Sequence, residues 1–286
     1  MPVKTILLPL AGVVPPEPVL ETALRVARRF KAHLDVLYVR PNPRRLLPYA
    51  TLGLSQQMRD SVLESAEQNA ETQAEKAFSV FTAVCARVGI PVVDKRSDHD
   101  TATASWKVET GQEATILAAR GRLCDLIVLS GPIPVSPPPE EAAAALKSTG
   151  RPVLIVPADF DVIGPRNVGI GWNGSAESAR AVAASMEYLK SAEKVTIFSG
   201  TAHPDKKPSS EDLIEYLGWH GVEATVRIFD AHDPSVGEAL LAEARAAGVN
   251  LLVVGGYSRS RLRELMFGGV TGFLLAEADI PVFMVH

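Results

Sequence analysis

Two stretches of this chain have residue types and spacings that could do chemistry. The first is GGYSRSRLRELMFGGVT, Gly255 to Thr271, directly after the apolar run Leu251–Val254. A loop after the carboxyl end of a parallel strand is where open α/β sheets bind ligands. The spacing predicts a helix over Arg259–Phe267, a break at Gly268-Gly269 and a second helix starting near Val270. Free N–H groups at that start, backed by the helix dipole and beside the Thr271 hydroxyl, suit an anion. Arg259, Arg261 and Arg263 add positive charge. The same residues suit a plain helix–loop–helix joint with capping glycines and solvated arginines. Residue types alone leave both readings open.

The second stretch is GIGWNG, Gly169 to Gly174, which formally matches GxGxxG after a strand. A dinucleotide fold needs an acidic residue about 20 positions later, at the end of the next strand. Phe198 and Ser199 stand there, and Gly169 falls inside the strand rather than in its turn. A nicotinamide cofactor is therefore disfavoured. Asn173-Gly174 reads as a turn and Ser175 as the N-cap of a helix over Ala176–Leu189, with Ser178 at the capping-box position. Elsewhere, SDHD (97–100) reads as a solvated loop around His99 rather than a metal site. Asp230 of DAHDPS (230–235) ends a strand and could face the cleft. Cys124, ahead of a buried strand, reads as inert. No GxSxG, HExxH or GxxxxGK[ST] occurs, and no nucleophile, base and oxyanion set assembles. The expectation is a protein that is not an enzyme.

The elements that must position these residues follow from composition and periodicity. The chain has 286 residues, long enough for two domains. It is 47% hydrophobic but only 6% aromatic, which suits helices packed on a buried sheet. A net charge of −4 gives no basic footprint for nucleic acid. Two cysteines without CxxC spacing fit a reducing compartment. The start Met1-Pro-Val-Lys goes straight into a strand pattern without signal-peptide features. No apolar run approaches the ~20 residues of a membrane helix. A soluble, cytoplasmic protein with neither membrane nor nucleic-acid partner is expected.

Short apolar runs predict strands at Thr5–Leu10, Asp35–Val39, Leu126–Leu129 and Val153–Val156 in the first half. Val168–Gly171, Val195–Phe198, Ala224–Ile228, Leu251–Val254 and Val282–Val285 do so in the second. Helical patterns lie between them at Pro18–Phe30, Leu54–Val88, Glu113–Ala119, Ala176–Leu189, Ser210–Trp219, Ser235–Ala247 and Arg259–Ala276. Alternation of this kind winds a parallel sheet through right-handed crossovers. The halves also echo each other: CDLIVLSG (124–131) against VNLLVVGG (249–256), and RPVLIVP (151–157) against IPVFMVH (280–286). KTILLPLAGV (4–13) likewise matches RNVGIGWNGS (166–175). Such self-similarity marks a duplicated domain. The boundaries expected are 1–158 and 165–286, with Pro157, Gly164 and Pro165 at the joint. Each half ends on an apolar strand whose free edge would be a liability. Pairing the two terminal strands across an internal pseudo-dyad covers both edges.

With these motifs in view, the chain resembles a tandem universal stress protein. Its most specific element is the family's nucleotide loop, G-x2-G-x9-G-[ST] after the fourth strand, with Gly255 as first glycine and Gly268 as third. The long helix at Leu54–Val88 fits the family too. The resemblance implies two tandem, doubly wound, parallel five-stranded α/β domains of the adenine-nucleotide α-hydrolase type, joined through their last strands. It also implies ATP as ligand of the second domain, with Mg alongside. The family's acidic ribose contact falls on Asn173, and its adenine contact on backbone near Phe198. Its phosphate contacts fall on Val254, Gly255, Ser258, Gly268, Gly269 and Val270.

Departures temper that inventory. Ser258 stands where the second loop glycine would be, and Gly269 where the hydroxyl residue would be, with Thr271 two positions on. Asn173 keeps hydrogen-bonding capacity but loses the charge. In the first half, Ala11 takes the acidic position and SGPIPVSPPPEEAAAALKSTG replaces the loop. Its prolines remove N–H donors, so the first domain is expected to bind no nucleotide. The expected function is stress-related regulation or protection, with adenine-nucleotide sensing in the second domain. The alternative is a scaffold of the same fold that acts through protein partners or another small ligand. A nucleotidyl transferase on a related sheet would want a phosphate motif near the first strand, and PLAGV offers none. Further homo-oligomerisation and the protein partners are left open by the sequence.

Overall fold

The computed structural model describes residues 3–12, 14–42, 55–94, 101–131, 140–157, 166–201, 208–230, 236–256 and 269–286. The fold is mixed α/β, and the chain divides into two compact units, Val3–Cys124 and Asp125–His286.

The first unit runs β1 (Thr5–Ala11), α1 (Glu17–Phe30), β2 (His33–Arg40), α2 (Gln56–Val88), β3 (Thr103–Thr110) and α3 (Glu113–Arg120). Its strands are parallel in the order β3-β2-β1. Helix α1 buries Val19, Leu20, Ala23, Leu24 and Ala27, a one-sided stripe at helical spacing. It stops where Lys31 adopts φ 49° and its N–H bonds back to Ala27 and Arg28. Ser55 caps α2 by accepting the Met58 N–H, and Gly89 at φ 70° ends it. Only Ala77, Phe81, Val84 and Cys85 of α2 are buried. Phe81 there meets Trp106 of β3 at 5.3 Å between ring centroids. Trp106 in turn stacks on Tyr38 of β2 at 5.5 Å.

Strand β3 has no counterpart among the strands expected from apolar runs. Thr103, Ala104 and Ser105 are buried, but Lys107, Val108 and Thr110 face solvent. A half-buried edge strand of this kind carries no continuous hydrophobic signal. Polar cross-strand pairing holds it. His33 Nδ1 lies 2.7 Å from Thr103 Oγ1, and Lys107 Nζ donates to Asp35 Oδ1 at 2.7 Å. Burial pushes the Asp35 carboxyl up, but hydrogen bonds from His33, Lys107 and Ser105 outweigh it and hold the group well below the usual carboxylate range.

The second unit contains β4 (Leu126–Ser130), α4 (Glu140–Ser148), β5 (Val153–Val156), β6 (Asn167–Trp172), α5 (Ala176–Ala184), α6 (Met186–Lys190) and β7 (Lys194–Gly200). It continues with α7 (Ser210–Trp219), β8 (Thr225–Phe229), α8 (Val236–Ala246), β9 (Leu251–Gly255), α9 (Val270–Glu277) and β10 (Val282–Val285). Its strand order is β4-β5-β10-β9-β6-β7-β8. Every neighbouring pair is parallel except β5 and β10, which run antiparallel with Phe283 opposite Leu154. These are the two strands that the edge argument brings together, and all eight of their residues are buried.

The single helix expected over Ala176–Leu189 is broken at Ser185, which is fully buried at φ −89°, ψ 4°. Its hydroxyl donates to Val182 O, a side-chain-to-backbone bond of the kind that bends helices. Helix α4 was not among the expected elements, since the prolines before it dominate the local signal. The helix expected over Arg259–Phe267 lies outside the described residues.

Phe283 is 2% exposed and packs edge-on against Tyr188 at 5.9 Å. Phe283→Ala should lower unfolding free energy by about 3–5 kcal/mol in urea denaturation, as large-to-small core changes do.

Candidate functional site

Strands β6 and β9 are parallel neighbours in the second unit, with Gly171 opposite Val254. Their carboxyl ends form the candidate site. Two glycines of GIGWNG serve packing. A Cβ at Gly169 would fall 2.9 Å from Phe198 Cε2, and one at Gly171 would fall 2.9 Å from Val254 Cγ1. Gly174, at φ 68°, makes the turn out of the strand. This bears out the view of Gly169 as a strand residue and leaves no dinucleotide fingerprint.

The turn is stitched by its own side chains. Asn173 Oδ1 accepts the Ser175 N–H at 3.0 Å, an Asx-turn. Ser175 caps α5, its Oγ accepting the Ser178 N–H at 3.1 Å. Ser178 does not reach back to the cap's N–H; its hydroxyl donates instead to Ser175 O at 2.8 Å. Asn173 has taken that N–H. The family's ribose position is thus exposed but already engaged in a local hydrogen bond.

The first turn of α5 also holds a carboxylate that motif matching did not flag. Glu177 is 6% exposed. Arg180 donates to its Oε1 at 3.0 Å and, through Nε, to the His286 carbonyl at 3.1 Å. Burial pushes the Glu177 carboxyl up, but its own amide N–H, the Arg180 charge and the Ser175 hydroxyl outweigh this and lower it. A buried negative charge therefore rests on a helix N-terminus, where the dipole favours it. Acid at the first turn with Arg three residues on is legible in sequence; that the pair is buried is not.

Gly255 touches this same turn. A Cβ there would lie 2.5 Å from the Ser178 amide nitrogen and 2.7 Å from the Glu177 carbonyl carbon. The first motif glycine is thus required by the approach of β9 to α5, whatever else it serves. Gly256 follows, its N–H donating to Val285 O at 2.7 Å while its carbonyl lies 3.1 Å from His286 Nδ1. Ser258 and Gly268 lie outside the described residues, as do Arg259, Arg261, Arg263 and His99.

Beyond them, Gly269 sits at φ 92°, ψ −170°, a conformation closed to L side chains, and starts α9 with no side-chain cap. Among the described residues nothing lies within 4 Å of where its Cβ would be. Val270 is the first helical residue, and Thr271 is buried. Phe273, one turn in, packs against Gly237 of α8.

Val254 is a core residue at 3% exposure, and Phe198 is buried at 1%. Phe198 lies inside the ladder, flanked by Gly171 and Arg227, because β7 runs on to Gly200. The backbone at the end of the second strand is therefore Gly200–Thr201, a correction to the position expected from the apolar run. Thr201 Oγ1 donates to Asp230 Oδ1 at 3.0 Å, so Asp230 is tied to the neighbouring strand end. Trp172 Nε1 donates to the Pro208 and Ser209 carbonyls at 3.1 Å, anchoring the start of α7. Asn173, Ser175, Glu177 and Gly255 thus come together, while Phe198 and Val254 support them from the core. Among the described residues no group of three or more His, Cys, Asp or Glu side chains could hold a metal, and no helix is long and apolar enough to cross a membrane.

Two predictions follow from this geometry. Gly255→Ala should cost about 1–3 kcal/mol by overpacking, read by chemical denaturation, because the α5 backbone cannot yield as a side chain could. Glu177→Gln should cost about 1 kcal/mol at neutral pH. Because folding lowers the Glu177 carboxyl, that difference should be full above the ordinary value of 4.5 and close as pH falls through the lower folded value, in a stability–pH series.

Residues 165–286 match the sequence model of the universal stress protein family. No curated protein sequence matches the chain. Among solved structures, a universal stress protein from Archaeoglobus fulgidus DSM 4304 superposes at TM-score 0.72 with 16% identity, covering 98% of this chain and 97% of that one. A functionally unknown protein from Pseudomonas aeruginosa PAO1 superposes at TM-score 0.55 with 14% identity, covering 99% and 92%. At these identities the likeness speaks for the fold over the whole chain, and the matched sequence speaks for the second half. Residues 165–286 are a universal stress protein domain, within a chain that carries that family's fold from end to end.

Proposed function

We propose that this chain is a tandem universal stress protein, with repeats over 1–158 and 165–286, in which the second repeat reports an adenine nucleotide to a stress-related regulatory or protective response. The observation that carries this is the start of α9. Gly269 holds a backbone conformation that only glycine takes readily, with no described residue within 4 Å of its Cβ position and a helix beginning directly behind. Such a start suits a phosphate, since backbone N–H groups and the dipole both face the anion. Gly255 lies at the other end of the same loop, at the carboxyl end of β9. The role is binding and regulation in the cytoplasm rather than turnover, with ATP as the first nucleotide to test and Mg as its companion ion.

One observation favours a second reading, a scaffold of the same fold without nucleotide. The Asn173 carbonyl is spent on the Asx-turn and the α5 N-terminus already carries the Glu177 carboxylate. Ribose and phosphate would then meet fewer open partners than in a site with a free carboxylate.

Calorimetric titration of the full chain with ATP and Mg separates the two. The nucleotide reading expects saturable binding, lost in Gly269→Asp, which sets a like charge at the phosphate position. Adenine compounds should also be released on denaturing protein purified without added nucleotide. Absence of heat at millimolar ATP, with no released nucleotide, would leave the scaffold.

A further inference from the structure

The first unit holds a polar pair that neither the fold nor the second-repeat site uses. Tyr38 is fully buried, and its hydroxyl finds no hydrogen-bond partner among the described residues. Arg40 is half-buried, and its Nε is likewise buried without a partner. The two are i and i+2 on β2, so they project from the same face of the sheet. They stand at the carboxyl ends of the strands: Tyr38 pairs with Leu10 and Val108, and Arg40 with Thr110, the last residue of β3.

That face is the one α2 covers. Tyr38 stacks on Trp106, which meets both Phe81 and Phe78 of α2. A crossover helix between parallel strands runs antiparallel to them. The buried residues of α2 start at Ala77, so Gln56–Lys76 continue past the strand ends, roughly 30 Å of helix. The half-exposed Trp106 and the exposed Phe78 lie at the outer side of this stack.

Both unpartnered atoms are donors. Burial raises the Tyr38 phenol, with the Arg40 charge opposing, so the hydroxyl stays protonated at neutral pH. A buried donor without an acceptor is costly, and two beside a positive charge are costlier still. One oxyanion oxygen reaching both would remove the deficit and neutralise the charge. Phenols and arginines hold phosphate and carboxylate groups through such charge-assisted hydrogen bonds.

We propose that the carboxyl end of β2 binds an oxyanion, the phosphate or carboxylate group of a small molecule, between the Tyr38 hydroxyl and Arg40 Nε. This site belongs to the first repeat and is built from strand residues, so it does not depend on the glycine loop of the second.

The test uses the full chain in chloride at fixed ionic strength, titrated calorimetrically with inorganic phosphate and, separately, with acetate. Saturable binding of at least one is expected, weakened about tenfold or more in Tyr38→Phe and in Arg40→Gln. Phosphate alone would identify phosphorylated metabolites as the source, acetate alone carboxylic acids. In chloride, Tyr38→Phe should raise the melting temperature, since it deletes a buried hydroxyl that has no acceptor. A lowered melting temperature would show that the hydroxyl has a partner within the fold and would overturn the proposal. So would the lack of saturable binding by either anion, or binding that survives both substitutions unchanged.

Discussion

The candidate site depends on how closely β6, β9 and α5 approach one another. Three glycines set that distance. Gly169 leaves room for the Phe198 ring, Gly171 for Val254 and Leu240, and Gly255 for the backbone of the first α5 turn. Interiors are packed at crystal-like density, so a methyl group at any of these positions has nowhere to go. The strand end, the turn from Asn173 to Ser175 and the α5 N-terminus are consequently drawn into one place. The glycines that look like a nucleotide fingerprint are first of all a packing requirement. A glycine motif that survives for packing can outlast the ligand it once served, which is why its presence alone decides little.

The electrostatics of that place are unusual for an anion site. One helix start, at α5, is already neutralised from within by Glu177, itself held by Arg180 and by the Ser175 hydroxyl. The other, at α9, begins on an uncapped glycine. Of the two, only the first carries a carboxylate of its own. Arg180 also reaches the His286 carbonyl, and the His286 ring lies against Gly256. The base of the loop is thereby fastened to the strand β10, which is itself fixed by its antiparallel partner β5.

Much of this is legible in the sequence. Short runs such as LIVL, VLIV, LLVV and VFMV, bounded by turn residues, read as strands buried on both faces, and the helices between them show one-sided apolar spacing. The apolar run put Gly255 at the end of β9, and the edge argument paired β5 with β10. Where the signal failed, the reason is physical. Strand β3 is an edge strand whose outer half is charged, so its sequence alternates without an apolar run. The break at Ser185 depends on a hydroxyl finding Val182 O, which propensity does not register. Strand β7 continues through Ser199 and Gly200, residues with no strand preference of their own, because β8 is there to pair with them.

By itself the sequence determined the α/β class, the address of the candidate loop and the prolines of the corresponding first-half segment. These rest on local periodicity and backbone chemistry, which each segment carries wherever it folds. Only tertiary structure decided that Gly169 and Gly171 are packing residues, that Glu177 is buried against a helix start, and that Tyr38 and Arg40 leave two donors unmet among the described residues. Those facts are distances between segments far apart in the chain. Burial turns an ordinary glutamate, tyrosine or arginine into a consequential one, and burial is a property of neighbours rather than of residue type.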